Sequence, residues 1–320
     1  MISGVPQGTV LGSILFVIYI NDLLDSIKNN KGFSFADDTK LVGPIEGMKS
    51  VQLLQEDLES VIKWSVQNNM ELHEKKFEVL SYPLNGSRDL RELPNYPESI
   101  EYITPGGHCI TPQETVRDLG VLLSNNRQWG PHIDKTVLGA RKMAAWVLSA
   151  FRDRSQMVMM TLYKSMVRSK LEYCCPVWSP TKVTEIQKIE NVQRAFTRKI
   201  VGCKDLAYWE RLKKLKLISL QRRRERYCII HIWKILHDQA PNDLGFEFKQ
   251  HARLGVKVEI PRLNKSTQLS VRRDYDLTFR VRAAQLFNLL PPDVGCLSTL
   301  EGFKAGLGML MEQYPDLILI

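Results

Sequence analysis

The sequence predicts an α+β chain in which a short mixed segment precedes a longer, mostly helical one. Three observations predict it. Residues 33 to 42 alternate apolar and polar side chains around a carboxylate pair, as a hairpin does. Residues 132 to 236 repeat apolar side chains at helical spacing. Prolines at 83, 94, 97, 105 and 112 separate the two regions with irregular chain. At 320 residues, with 44% hydrophobic and 25% charged side chains, the chain can bury cores and form two or more compact units, which excludes a disordered chain.

The elements follow in order. Gly4-Val5-Pro6-Gln7-Gly8 reads as a loop, because two glycines and a proline disfavour helix and strand interiors. From Val10 to Leu24 the apolar residues are too continuous for a surface helix, so this helix is expected inside a domain. A turn at 29–32 leads into the Phe33 to Val42 hairpin, with Asp37 and Asp38 at its tip. Met48 to Asn68 has the period of an amphipathic helix, and Glu78 to Tyr82 reads as a strand. Tyr102-Ile103 and Cys109-Ile110 are placed to pair across Pro105-Gly106-Gly107, and Val116 to Leu123 reads as one further strand.

Helices are then predicted from His132 to Phe151, Gln156 to Glu172, Val183 to Ile200, Leu206 to Leu215 and Leu220 to Leu236, the last capped by Ser219. Beyond Pro241 the pattern weakens, and the tail mixes short helical stretches with Pro291-Pro292. The organisation expected is a first segment 1–85, a β-rich connection 86–125, a helical region 126–240 and a tail region 241–320.

The net charge of +9 is local. Lys188 to Cys228 holds 13 basic and 4 acidic residues, while the rest of the chain holds 31 of each. Such a patch favours a polyanion such as nucleic acid, although a solvated helix face is the commoner meaning of a charge run. Leu206, Trp209, Leu212 and Leu215 form one stripe with cations between them, so Arg211, Lys213 and Lys214, followed by Arg222, Arg223 and Arg224, are the candidates to contact a nucleic-acid backbone.

The six cysteines form no C-x-x-C pair and read as reduced thiols. Cys228 and His231 are one helical turn apart but lack a recognisable completing ligand set, so core packing is the better reading than zinc. The longest near-apolar run, Val10 to Ile20, is about half the roughly 20 residues a spanning helix needs, which predicts no membrane partner. The first residues lack a basic n-region and a cleavage site, which points to an intracellular protein of the nucleus or cytoplasm.

Adjacent carboxylates on a tight hairpin can hold a divalent cation, though an Asp-Asp pair standing alone is more often turn chemistry. Its company is what matters. Gly4-Val5-Pro6-Gln7-Gly8-Thr9-Val10-Leu11-Gly12, then Ile18-Tyr19-Ile20-Asn21-Asp22-Leu23, then Phe35-Ala36-Asp37-Asp38, with 33 residues from Gly4 to Asp37, resembles two consecutive palm motifs of non-LTR retrotransposon reverse transcriptases, jockey-like LINE elements in particular. Leu72-His73-Glu74-Lys75-Lys76, Asp118-Leu119-Gly120-Val121, Leu171-Glu172-Tyr173, Pro176-Val177-Trp178 and Val192-Gln193-Arg194 extend the resemblance, with His73 where the family commonly has asparagine.

The resemblance implies a partial palm followed by a thumb-like helical region, acting in RNA-directed DNA synthesis on an RNA template and a DNA primer with Mg2+. It implies Asp37 as a metal ligand and Asp38 as its catalytic, metal-binding neighbour, and Lys76 as a general acid or phosphate contact. Gly4, Pro6, Gln7, Gly8, Phe35 and Ala36 would border nucleotide and template. The family also carries another metal-binding aspartate and the fingers ahead of this loop, where three residues stand here. The expectation is therefore an amino-terminally truncated polymerase that is inactive alone, or a remnant that binds nucleic acid or serves as a helical scaffold. The Val10 to Leu24 helix is expected to keep uncovered apolar faces in such a chain.

Overall fold

The computed structural model describes residues 8–82, 101–263, 275–276 and 278–313. Two compact units make up the chain: Met1–Val116 with Ser124–Arg127, and Arg117–Leu123 with Gln128–Ile320. Gly4, Pro6, Gln7 and the segment boundary near 85 lie outside the described residues.

The first unit begins with α1 (Val10–Ile20), whose N-cap Thr9 accepts a hydrogen bond from the Gly12 amide at 3.1 Å. A 3-10 turn, Asn21–Ser26, carries the chain into β1 (Lys31–Phe35) and β2 (Asp38–Val42), an antiparallel hairpin in which Phe35 pairs with Asp38. The 20-residue α2 (Met48–Gln67) supplies Val61 and Trp64 to a small core with Ile20 and Leu23. Trp64 donates its indole N–H to Asp22 at 3.2 Å, which gives that acid a structural partner.

A second cluster joins Val51 of α2 to Tyr102 of β3 (Tyr102–Ile103) and Ile110 of β4 (Cys109–Ile110). Gln55 fastens the same hairpin, its amide group exchanging hydrogen bonds with the Ile103 carbonyl at 2.7 Å and the Ile103 amide at 3.1 Å.

Three expectations change here. The expected interior helix is largely a surface one: only Gly12 and Ile20 of α1 are buried, while Val10 is 81% and Ile18 67% exposed. Phe16 and Ile20 anchor it to the small core and Tyr19 packs edge-on against Trp64, with ring centroids 6.3 Å apart, while Val10, Leu11, Ile14, Leu15, Val17 and Ile18 stay exposed. The expected strand at 78–82 is a single parallel bridge between Val79 and Pro112, with the Gln113 amide donating to the Val79 carbonyl at 2.8 Å. Proline lacks an amide hydrogen, so no ladder grows from that point. Residues 116–123 are not one strand but most of a hairpin, β5 (Thr115–Asp118) and β6 (Val121–Ser124). Leu119 and Gly120 turn it at φ +44 and +87.

The second unit is helical. α3 (Gly130–Ala150) packs on a continuous helix from Gln156 to Glu172 and on α7 (Val183–Thr197). That continuous helix has three parts: α4 (Gln156–Leu162), a π-helical segment Tyr163–Arg168, and α5 (Ser169–Glu172). The short α6 (Cys175–Trp178) buries Trp178, whose indole N–H donates to the Tyr173 carbonyl at 2.8 Å.

α8 (Tyr208–Lys214) precedes α9 (Leu220–Leu236), which Ser219 caps by accepting from the Arg222 amide at 3.2 Å. α9 divides two clusters, one built with α3, the 156–172 helix and α7, the other with the carboxyl-terminal elements. Those elements are the hairpin β7 (Phe248–His251) and β8 (Gly255–Val258), with α10 (Phe279–Asn288), α11 (Pro292–Gly295) and α12 (Leu300–Gln313). No described helix is long and apolar enough to cross a membrane.

Candidate functional site

Asp37 and Asp38 stand at the tip of the β1–β2 hairpin. Because Phe35 pairs with Asp38, only Ala36 and Asp37 remain to turn the chain. Ala36 takes φ +51, the left-handed region that costs a residue with a Cβ roughly 1 kcal/mol or more. The Ser34 hydroxyl helps hold this turn by donating to the Ala36 carbonyl at 3.3 Å. The tight turn places two consecutive carboxylates in solvent, flanked by Phe35 at 66% exposure.

Exposed, oxygen-only ligands suit a hard cation, which takes one or two carboxylates and completes its shell with water and phosphate oxygens. Among the described residues no group of three or more His, Cys, Asp or Glu side chains is assembled to hold a metal ion. Gly8 has φ +84 with open space where a side chain would begin. Lys76 is exposed at the end of a 3-10 turn, Glu74–Lys76, and no described contact joins it to the hairpin tip. Cys228 is buried in the second unit's core and His231 packs edge-on against Phe279, with ring centroids 5.5 Å apart.

The basic patch is where the structure differs most from the sequence-based expectation. Arg222 and Arg224 are 1% exposed and Arg211 is 6% exposed, so these three do not offer their charges to a strand at the surface. Arg222 lies 3.3 Å from Glu225 in a buried ion pair, and Arg224 donates to Gln221 at 2.9 Å. Arg211 packs its guanidinium over the Tyr208 ring at 5.5 Å. The physical reason is α9's position between two cores: successive residues of a helix point about 100° apart, so a run of three arginines cannot stay on one solvent face. Arg223 is half-buried and ion-paired to Glu172 through its Nε and Nη2. Lys213 and Lys214 of α8 are exposed as expected.

A buried polar network beside these arginines was not read from the sequence. Glu190 accepts hydrogen bonds from the Tyr208 hydroxyl and from the Leu220 amide, the latter at 2.9 Å. Gln193 donates to Tyr208 at 2.8 Å and accepts from Tyr163 at 2.7 Å. Burial pushes the Glu190 carboxyl above the usual range, against the lowering effects of Tyr208 and Arg224. The one available signal was Glu190 and Gln193 on the apolar face of α7, in phase with Ile189, Val192 and Phe196.

The turn lies inside a segment that is similar to known proteins. Residues 2–123 match the family described as reverse transcriptase (RNA-dependent DNA polymerase). A probable RNA-directed DNA polymerase from transposon X-element of Drosophila melanogaster is 24% identical over 209 residues, covering 63% of this chain and 22% of that protein. The RNA-directed DNA polymerase from mobile element jockey of Drosophila funebris is 25% identical over 214 residues, 62% of this chain and 22% of that protein. The chain thus spans about a fifth of the length of these curated relatives. No solved structure matches it.

Proposed function

We infer that these 320 residues are a segment of an RNA-directed DNA polymerase of a jockey-like non-LTR retrotransposon, and propose that Asp37 and Asp38 serve its nucleotidyl transfer onto a 3′ hydroxyl. The observation that carries this reading is the two-residue turn, which presents consecutive exposed carboxylates inside the segment that matches reverse transcriptases. A bound Mg2+ would supply charge stabilisation to the transferring phosphoryl group.

The chain's residues would hold and orient. Asp37 and Asp38 would hold the cation, Gly4, Pro6, Gln7 and Gly8 would border nucleotide and template with Phe35 and Ala36, and Lys76 would meet a phosphate or protonate a leaving group. In this reading 1–85 is palm, 86–125 a β-rich connection, 126–240 thumb-like and 241–320 a tail region, with RNA template and DNA primer as partners. Two ions about 3.5 to 4 Å apart need more shared ligands than one aspartate pair. The 320 residues alone are therefore expected not to extend a primer.

Two measurements test this. Mn2+ binding, followed by water relaxation, is expected to weaken about tenfold in Asp37→Asn, as for the loss of a charged ligand worth 1.5 kcal/mol or more; unchanged binding would remove the metal role. Metal-dependent primer extension by the purified chain, abolished by Asp37→Asn, would overturn the expected inactivity.

The exposure of Lys213 and Lys214 favours a second reading, a nucleic-acid-binding segment without catalysis. Its affinity for RNA should fall by roughly 0.7 to 0.9 log units per contacted phosphate for each log unit of salt. Unchanged affinity and salt slope in Lys213→Ala/Lys214→Ala would exclude it.

A further inference from the structure

A cavity of about 270 Å³ opens in the second unit between the π-helical segment, the turn before α9, the first half of α9 and α12. Five cations line it, Lys164, Arg168, Lys216, Arg223 and Arg226, against one acid, Glu312. The neighbouring Glu172 is already engaged. Its Oε1 accepts from Arg223 Nε, and its Oε2 accepts from Arg223 Nη2 at 3.0 Å and the Tyr227 hydroxyl at 3.2 Å, with Arg168 Nε at 3.5 Å. Five cations against these two carboxylates leave an excess of three positive charges.

Three further observations point the same way. The Arg168 Nε is shut off from solvent and, beyond its 3.5 Å ion pair with Glu172, makes no hydrogen bond. Burial, and then the charge of Arg223, hold Arg168 and Arg226 below the usual arginine range, so each lies where an added negative charge would stabilise it, although Glu172 holds Arg223 itself above that range against burial. The π-helical turn, a distortion found mostly at functional sites, carries both Lys164 and Arg168.

We propose that this cavity is a phosphate-binding site that takes a free phosphate or the terminal phosphate of a strand. The Lys164 and Lys216 ammoniums and the guanidinium nitrogens not given to Glu172 or to the Lys304 carbonyl suit phosphate oxygens, and the charge excess matches a dianion better than a single diester. A volume just below the roughly 300 to 1,000 Å³ of pockets for drug-sized ligands suits one small anion rather than a threaded chain. The site is independent of the Asp37–Asp38 reading, since every residue lining it belongs to the second unit.

The test is phosphorus NMR of inorganic phosphate titrated with the full 320-residue protein at constant ionic strength. Saturable line broadening is expected for the wild type and for Lys142→Ala, an exposed α3 control. The double variant Lys164→Ala/Lys216→Ala removes two exposed lysines, with folding checked by circular dichroism, and should weaken binding roughly tenfold or more. Glu312→Gln, which removes the lining acid, should tighten it and serves independently if the double variant fails to fold. A wild type without saturable broadening, or phosphate affinity unchanged in both variants, overturns the site.

A 5′-phosphorylated dodecamer and the same strand lacking that group distinguish the sources. Displacement by the phosphorylated strand alone supports a terminal phosphate, and displacement by neither supports the free anion. Equal displacement by both overturns the preference for a terminal or free phosphate.

Discussion

Asp57 accepts hydrogen bonds from three consecutive amides, Lys28 at 2.9 Å, Asn29 at 3.2 Å and Asn30 at 2.8 Å, and from the Asn30 side chain at 2.9 Å. Burial by itself would raise its carboxyl, but the Lys28 amide, the Asn30 side chain and the other amides together hold it below the usual range. A carboxyl depressed in the folded state stabilises above its unfolded value and loses that contribution as pH falls through the folded one. Asp57→Ala should thus cost about 3 kcal/mol near neutral pH, since four hydrogen bonds to a buried carboxylate are lost together, and the gap to wild type should narrow below about pH 4. Urea titration followed by circular dichroism checks both; a pH-independent gap would count against the assigned role. Asp57 was legible as an acid on the apolar stripe of α2, between Leu54 and Leu58, but only its partners show why it is there. The place of Asp37 and Asp38 at a hairpin tip was legible outright, because a two-residue hairpin turn leaves little freedom about where its side chains go. The buried arginines were not, because a charge run says nothing about how many cores its helix borders.

At the scale of elements, the exposed lysines of α8 and the buried arginines of α9 carry the same charge with opposite consequences. Glu225→Ala removes one ion-pair partner of the buried Arg222 guanidinium and should cost about 3 kcal/mol. Lys213→Ala, on an exposed face, should change stability by no more than about 0.5 kcal/mol. Denaturant unfolding followed by circular dichroism separates them, and equal costs would mean that α9 is not buried as described. Helix positions were readable because each relies on local periodicity, and the Ser219 cap is a one-residue signal of the same kind. The 78–82 strand and the 116–123 strand were misread because a strand is defined by its partner. There the partner was a lone proline in one case and the strand's own second half in the other.

Across the whole molecule, the first unit rests on two small clusters and the second on two large ones, yet the first carries the most exposed apolar helix. Leu11→Glu with Ile18→Lys should raise the soluble yield and suppress concentration-dependent association in sedimentation, at little cost in stability, because those side chains are 62% and 67% exposed. Association unchanged by the pair would place the sticky surface elsewhere. The division into units was expected from length alone, whereas its place along the chain depends on which residues pack together and could not be read from composition. All four described sheets are two-stranded pairings of neighbours in sequence. No described strand has to find a distant partner, so these ladders are expected to form in about 1 to 10 microseconds, and the rate of folding should be set by bringing α3, α7 and α9 together.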